Sequence, residues 1–195
     1  MAILDWVDRG GMAAAAAALL VMAACSAAED GDEGPAASAE VSERTLASAI
    51  ADDADLSMVS SALGDAGLAR VFDGAAAYTI LAPEDAAFDK LGEASADLRS
   101  PEQRPAMVAI LRDHIVPGYL TPEDIANAIK ASDDKRVTMR TMGGHTLTFT
   151  GEASAITVEA EDGATARLAG EPLRASNGVA IPVDGLLKKA AAPAA

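Results

Sequence analysis

Apolar residues recur at helical spacing through the first part of the chain and at every second position through the last third. Leu46, Ala49 and Ile50 share one helical face behind Ser42, and Leu56, Val59 and Leu63 repeat the pattern behind Asp55. Ser and Asp are residue types that cap helices. Gly64 and Gly67 end the second helix. Tyr78-Thr79-Ile80-Leu81 is a β-branched and apolar run stopped by Pro83, which predicts a buried strand. Glu84 to Leu91 reads as a short helix with Phe88 and Leu91 inward. Ser100-Pro101-Glu102-Gln103 joins a cap, a proline at the first helical position and a Gln three residues on. Met107, Ile110, Leu111 and His114 then fall on one face. Pro117-Gly118 breaks the chain. Thr121-Pro122-Glu123-Asp124 opens another helix with Ile125 and Ile129 on its inner side.

After that helix the period becomes two. Val137 and Met139 alternate with Thr138 and Arg140, and Gly143-Gly144 is a turn. Leu147 and Phe149 alternate with Thr146, Thr148 and Thr150. Ile156 and Val158 alternate with Thr157 and Glu159, and Asp162-Gly163 is a second hairpin turn. Val179, Ile181 and Val183 form a last strand. Helices come first and strands second, with one early strand, so the class is α+β rather than alternating βαβ. No internal repeat divides the globular part, so a single domain over residues 44–188 is expected, with a fraying tail at 189–195.

The N-terminus has a different character. Met12 to Ala24 is an uncharged apolar run of about 13 residues. A membrane span needs about 20, whereas a secretory signal centre is this short. It ends Val21-Met22-Ala23-Ala24-Cys25, small residues directly before the single cysteine, which resembles a bacterial lipobox. Residues 1–24 are then a lipoprotein signal and Cys25 the lipidated residue. The competing reading is an ordinary cleavable signal with an incidental cysteine. One acyl chain holds a protein only marginally and two or more hold it stably, so a triacylated Cys25 would anchor the chain to a membrane. Residues 25–43 follow as an acidic tether of mostly Ala, Ser, Gly and Pro, too poor in apolar area to offset its ordering entropy. The localisation expected is export across the inner membrane, then anchoring at the outer membrane, periplasm or cell surface.

Charge narrows the partners. Lys plus Arg is 15 against 30 Asp plus Glu, a formal net charge of -15. Nucleic acid needs a basic footprint and is excluded as the main partner. The hydrophobic fraction is 50%, but about half of it is alanine, which adds little burial energy per residue. No G-x-S-x-G, P-loop, G-x-G-x-x-G, H-E-x-x-H or C-x-x-C occurs. The two histidines, His114 and His145, stand in different elements without ligand spacing to a third group, so no metal and no cofactor is expected. His114, on an apolar face, reads as a core histidine bonded to backbone. His145, after a Gly-Gly turn, reads as exposed. Met107, Met139 and Met142 read as core filler.

Three ordered blocks resemble the fasciclin (FAS1) domain family. Thr79-Ile80-Leu81-Ala82-Pro83-Glu84-Asp85-Ala86-Ala87-Phe88 resembles its first signature, His114-Ile115-Val116-Pro117-Gly118 its central segment and Asn177-Gly178-Val179-Ala180-Ile181-Pro182-Val183-Asp184 its closing block. The chain departs where Asp113 replaces a frequent Tyr, Glu84-Asp85 replace Thr-Asn, and Pro182 replaces His, which implies an edge or bulged position there. The resemblance implies an α+β domain, a β-sandwich-like wedge with helices packed on it. It implies adhesion or binding of matrix protein or polysaccharide, without catalysis, and a buried His114 that orients the Pro117-Gly118 turn through a hydrogen bond. Asp124-Ile125 matches a short element that animal relatives use in integrin adhesion, although Asp124 is better explained as a helix N-terminal acid favoured by the macrodipole. A periplasmic carrier of a small hydrophobic ligand is the alternative, and a hydrolase without a recognisable motif a distant one.

The anchor has a direct test. Replacing Cys25 by Ala should move the protein from the membrane fraction to a soluble or uncleaved pool. A correctly cleaved Cys25→Ala protein that stays on the membrane contradicts the lipid. Since Trp6 lies in the leader, the mature chain should emit only tyrosine-like fluorescence, from Tyr78 and Tyr119.

Overall fold

The computed structural model describes residues 43–90, 92, 98, 100–152 and 155–189. The leader, Cys25, nearly all of the acidic tether, Leu91 and the end of the tail lie outside the described residues. Helix α1 (Leu46–Ala51) is capped by Thr45, whose Oγ1 accepts from Ser48 N–H; Ser42, the cap expected from sequence, is outside the described residues. Asp53 rather than Asp55 caps the next segment, a 3-10 turn over Ala54–Leu56 that leads into α2 (Ser57–Asp65). The N-terminus of α2 is satisfied from a distance: Asp85 accepts from Met58 N–H at 2.9 Å and from the Ser57 hydroxyl. That Asp opens α3 (Asp85–Asp89), shorter than the sequence pattern implied.

Strand β1 (Tyr78–Pro83) precedes α3. A 3-10 turn over Pro101–Gln103 feeds α4 (Arg104–Asp113), and Ser100 makes no side-chain cap there. Strand β2 (Ile115–Pro117) follows directly, and α5 (Pro122–Ala131) begins with a full capping box between Thr121 and Asp124. The remaining chain is β3 (Arg136–Arg140), β4 (Thr146–Glu152), β5 (Ala155–Ala160), β6 (Thr165–Arg167), β7 (Leu173–Ala175) and β8 (Gly178–Val183). β2 and β7, three residues each, are too short for a period of two to mark them.

Among the described residues two four-stranded sheets result. The first has the order β2-β1-β8-β7 and is mixed, because β1 and β8 run parallel while the outer pairs are antiparallel. The second is the antiparallel meander β3-β4-β5-β6. The first sheet lies between two hydrophobic clusters. Ile80, Ala82 and Ala180 face the helices, among Leu46, Ile50, Val59, Leu63, Phe72 and Phe88. Leu81, Val179, Ile181 and Val183 face the other way, against Leu147, Phe149, Ile156 and Val158 of the second sheet and Ile125 and Ile129 of α5. β8 is therefore buried at every position. Burying each large side chain contributes about 1.5–3 kcal/mol, and period two lets one strand serve both clusters.

Pro182 is not on an edge strand, contrary to the expectation from its missing N–H. Alternation along β8 sends its main chain away from β1, where its carbonyl accepts from Ala169 N–H at 2.8 Å. β7 pairs only as far as Ala180, so no ladder bond is lost.

Glycine at 178 is a steric necessity. A Cβ there would lie 2.3 Å from Tyr78 O and 2.7 Å from Leu46 Cδ2. Gly178→Ala should destabilise by about 2–3 kcal/mol, because backbone must shift to admit it. Gly64→Ala is the opposite case, since a Cβ meets nothing within 4 Å in α2, and should stabilise by about 0.5–1 kcal/mol. Urea unfolding midpoints of the two variants moving in the same direction would contradict this packing.

Candidate functional site

The motif residues converge on the first sheet, and the structure shows what each does there. Thr79 is 1% exposed. Its hydroxyl donates to Gly118 O at 2.8 Å and accepts from Leu120 N–H at 2.9 Å, so it holds the Pro117-Gly118 turn after β2. Gly118 has φ +111°, a conformation glycine adopts readily, and its N–H donates to Ala77 O. Asn177 ties three segments: its Oδ1 accepts from Leu46 N–H at 2.8 Å, and its Nδ2 donates to Phe72 O and Gly74 O. The Asp184 carboxylate accepts from Arg167 N–H at 2.7 Å, and its carbonyl accepts from Lys90 Nζ. Pro83 ends β1 opposite Val183 in the parallel register, and Phe88 is buried in the helical cluster.

His114 is buried at the end of α4. Nδ1 lies 2.8 Å from Ile110 O, so it carries the proton and donates, while Nε2 accepts from Leu187 N–H at 2.9 Å. Both ring nitrogens are used, and only the neutral ring can use them this way. The imidazole thus fastens the segment after β8 to α4. Burial holds its pKa below the ordinary value, with the Ile110 bond and the neighbouring Asp113 charge pulling less strongly the other way.

Asp124 is a capping residue in this fold. Its carboxylate accepts from Thr121 N–H at 2.9 Å and from the Thr121 hydroxyl at 2.8 Å, and these bonds hold its pKa below the usual carboxylate range. Ile125 is 1% exposed and packs in the core. The Asp-Ile pair is therefore half helix cap and half core. Cys25 is outside the described residues.

One pairing went unread in the sequence. Asp113, 6% exposed, lies 2.7 Å from His145 Nδ1, which donates to it. The contact forms because the β3–β4 turn docks on the end of α4: Met142 N–H donates to Ile115 O and Gly143 N–H to Arg112 O. A Cβ on Gly143 would fall 1.9 Å from Asp113 Oδ1, so glycine makes room for the carboxylate. That Gly-Gly turn beside a histidine was the only sequence signal. An open cavity of about 310 Å³ borders the pair, with Asp162, Leu187 and Lys188 around it. Asp162 is held below its ordinary pKa: burial pushes it up, and the Lys189 and Ala164 N–H bonds with the Lys188 charge outweigh that. Among the described residues no hydroxyl or thiol nucleophile lines this cavity. Among the described residues no three His, Cys, Asp or Glu side chains are placed to hold a metal ion. A separate groove of about 290 Å³ lies among α2, α3 and α4, with Met58, Ala62, Phe88, Leu98 and Met107 along it and Asp65 and Arg104 at its edges.

Comparison with known proteins follows this geometry. A family model described as the fasciclin domain matches residues 54–189. The fold is similar to the solved structure of a FAS1 domain pair from the insect cell adhesion molecule fasciclin I, with a TM-score of 0.66 and 16% identity. The match covers 76% of this chain and 52% of the other, so the chain corresponds to about half of that pair. Comparison with curated proteins gave no match.

The His114 arrangement sets a pH dependence. The unfolded ring takes a proton near pH 6.5, and the folded ring only at lower pH, so the unfolded state binds more protons in between. Stability contributed by the neutral ring is full above about pH 6.5 and falls below it by up to about 1.4 kcal/mol per pH unit. The depressed carboxylates Asp124 and Asp162 lose their contributions only in the more acid range, below about pH 4. Parent protein should therefore lose melting temperature between pH 7 and 5, whereas His114→Gln should melt lower but change little across that window. His145→Asn removes the other imidazole and serves as control. A parent slope that survives in His114→Gln contradicts the assignment.

Proposed function

The chain belongs to the fasciclin domain family, and on that premise we propose that it is a non-catalytic binding module, anchored through Cys25, that holds envelope or matrix material. Supporting this is the use to which the motif side chains are put. Thr79, His114, Asn177 and Asp184 all bond to backbone and hold the scaffold. With those groups committed to the fold, binding falls to the surfaces that the scaffold displays. The acidic tether read from residues 25–43 would let such a domain stand off the membrane.

A second reading, carriage of a small apolar ligand, has the groove among α2, α3 and α4 in its favour. Its volume is at the lower end of the range of small-molecule sites, about 300–1,000 Å³.

Crosslinking of the intact anchored protein in envelope membranes, followed by mass analysis, separates these readings. Recovery of one envelope protein or polysaccharide, unchanged by Asp113→Asn or His145→Asn, is the expected result. Recovery of a lipid-like small molecule that is lost on Met107→Asp supports the carrier. Turnover of an envelope polymer that stops on His145→Asn overturns the non-catalytic reading.

A further inference from the structure

The outer face of the second sheet is unlike the rest of the molecule. Its inner positions pack in the core, and its outer ones form rows across the strands. In one row Arg136 sits opposite Thr150, Thr150 opposite Thr157, and Thr157 opposite Arg167. In the next, Thr138, Thr148, Glu159 and Thr165 follow in the same way, and Arg140 sits opposite Thr146. Thr148 and Thr157 are half-buried and the others are exposed. α5 packs its Ile125 and Ile129 into the inner cluster, so it does not cover this face.

Three arginines against two glutamates, Glu159 and Glu152 at the end of β4, leave this face weakly cationic on a chain of net charge -15. Among the described residues no acid pairs with Arg136 or Arg167, and Arg140 uses only its Nε, on Gly144 O at 3.2 Å. Elsewhere on the surface Arg44 pairs with Asp52 and Lys188 with Asp162. Strand geometry sets the spacing. Arg136 and Arg167 are three strand separations apart, about 14 Å, and Arg136 and Arg140 are four residues apart, about 13 Å. Threonine hydroxyls, which both donate and accept, fill the space between.

We propose that this face binds an acidic polysaccharide, with Arg136, Arg140 and Arg167 taking carboxylates and the threonine rows taking sugar hydroxyls. It rests on the binding-module reading above and names the partner. Two features select this occupant. Cations about 14 Å apart with threonine hydroxyls between them suit a polymer that carries sugar hydroxyls beside each of its carboxylates, not a duplex with one charge per about 1.7 Å. Among the described residues no apolar side chain larger than that of Ala155 stands in the outward rows, so a lipid surface would gain little by insertion.

The test is affinity of the full-length protein for soluble alginate, a polyuronate, with neutral dextran, duplex DNA and phosphatidylserine vesicles alongside. Alginate should bind and weaken as salt rises. Arg136→Gln with Arg167→Gln should lower its affinity about tenfold, and Thr148→Val with Thr150→Val should lower it while leaving the salt dependence intact. Melting temperatures should not move, because these positions lie on the solvent face. Alginate binding no stronger than dextran binding, equal affinity in the arginine double variant, or preference for DNA or vesicles overturns the proposal. Retention of the parent on isolated envelope material is measured in parallel. If the parent holds that material but not alginate, this inference fails and the binding-module reading stands. If it holds neither, both fail.

Discussion

Parallel pairing of β1 with β8 is the constraint on which the other elements depend. It joins Tyr78–Pro83 to Gly178–Val183, about a hundred residues further on, and every other layer is referred to that joint. Closing so long a loop costs little more than closing a short one, because the cost grows only with the logarithm of length. What the pairing demands is an entry point where two backbones can meet. Asn177 and Gly178 supply it. The carbonyl of Asn177 accepts from Tyr78 N–H, its amide holds Phe72 and Gly74, and its oxygen caps α1 at Leu46. The missing side chain at 178 then lets β1 and Leu46 close up. Both strands are thereby covered on both faces, as parallel pairs require.

The same joint is locked at its other end. Past Val183 the chain turns back, Asp184 takes Arg167 N–H, and Leu187 buries its side chain while its N–H meets His114. A buried N–H without a partner costs about 1–3 kcal/mol. His114 therefore matters as an acceptor, and an acceptor only when neutral. Burial enforces that protonation state. His114 is thus a main-chain fastener whose electrostatics follow from its place.

Legibility from sequence followed the range of the interaction. The meander β3 to β5 was plain because its alternation is local: Leu147 and Phe149 inside, Thr146, Thr148 and Thr150 outside. The α5 capping box was equally local. Asp85 capping α2 from 27 residues away, and Asp113 meeting His145 from 32, have no such signature. His114 was read as a buried, backbone-bonded side chain, and that is where it lies. The turn it was expected to orient is instead held by Thr79, since Gly118 O is reached from β1 rather than from the end of α4. The family was readable because three blocks mark the places where backbone must meet backbone.

That division has a consequence for where recognition can sit. Side chains that complete main-chain hydrogen bonds at the joint cannot be released to a partner without orphaning buried groups, so the motif positions are poor carriers of specificity. The outward positions of β3 to β6 are free of that duty. Alternation fixes only that they face water, and β propensity alone would be met by threonine. It does not require arginine at three corners of the face on a chain twice as rich in acids as in bases. Dispersed acids keep such a chain soluble and repel anions over most of its surface. A local reversal of sign would direct an anionic partner, as proposed above, to one face by attraction there and repulsion elsewhere. The scaffold contributes the spacing, and the outward residues contribute the chemistry.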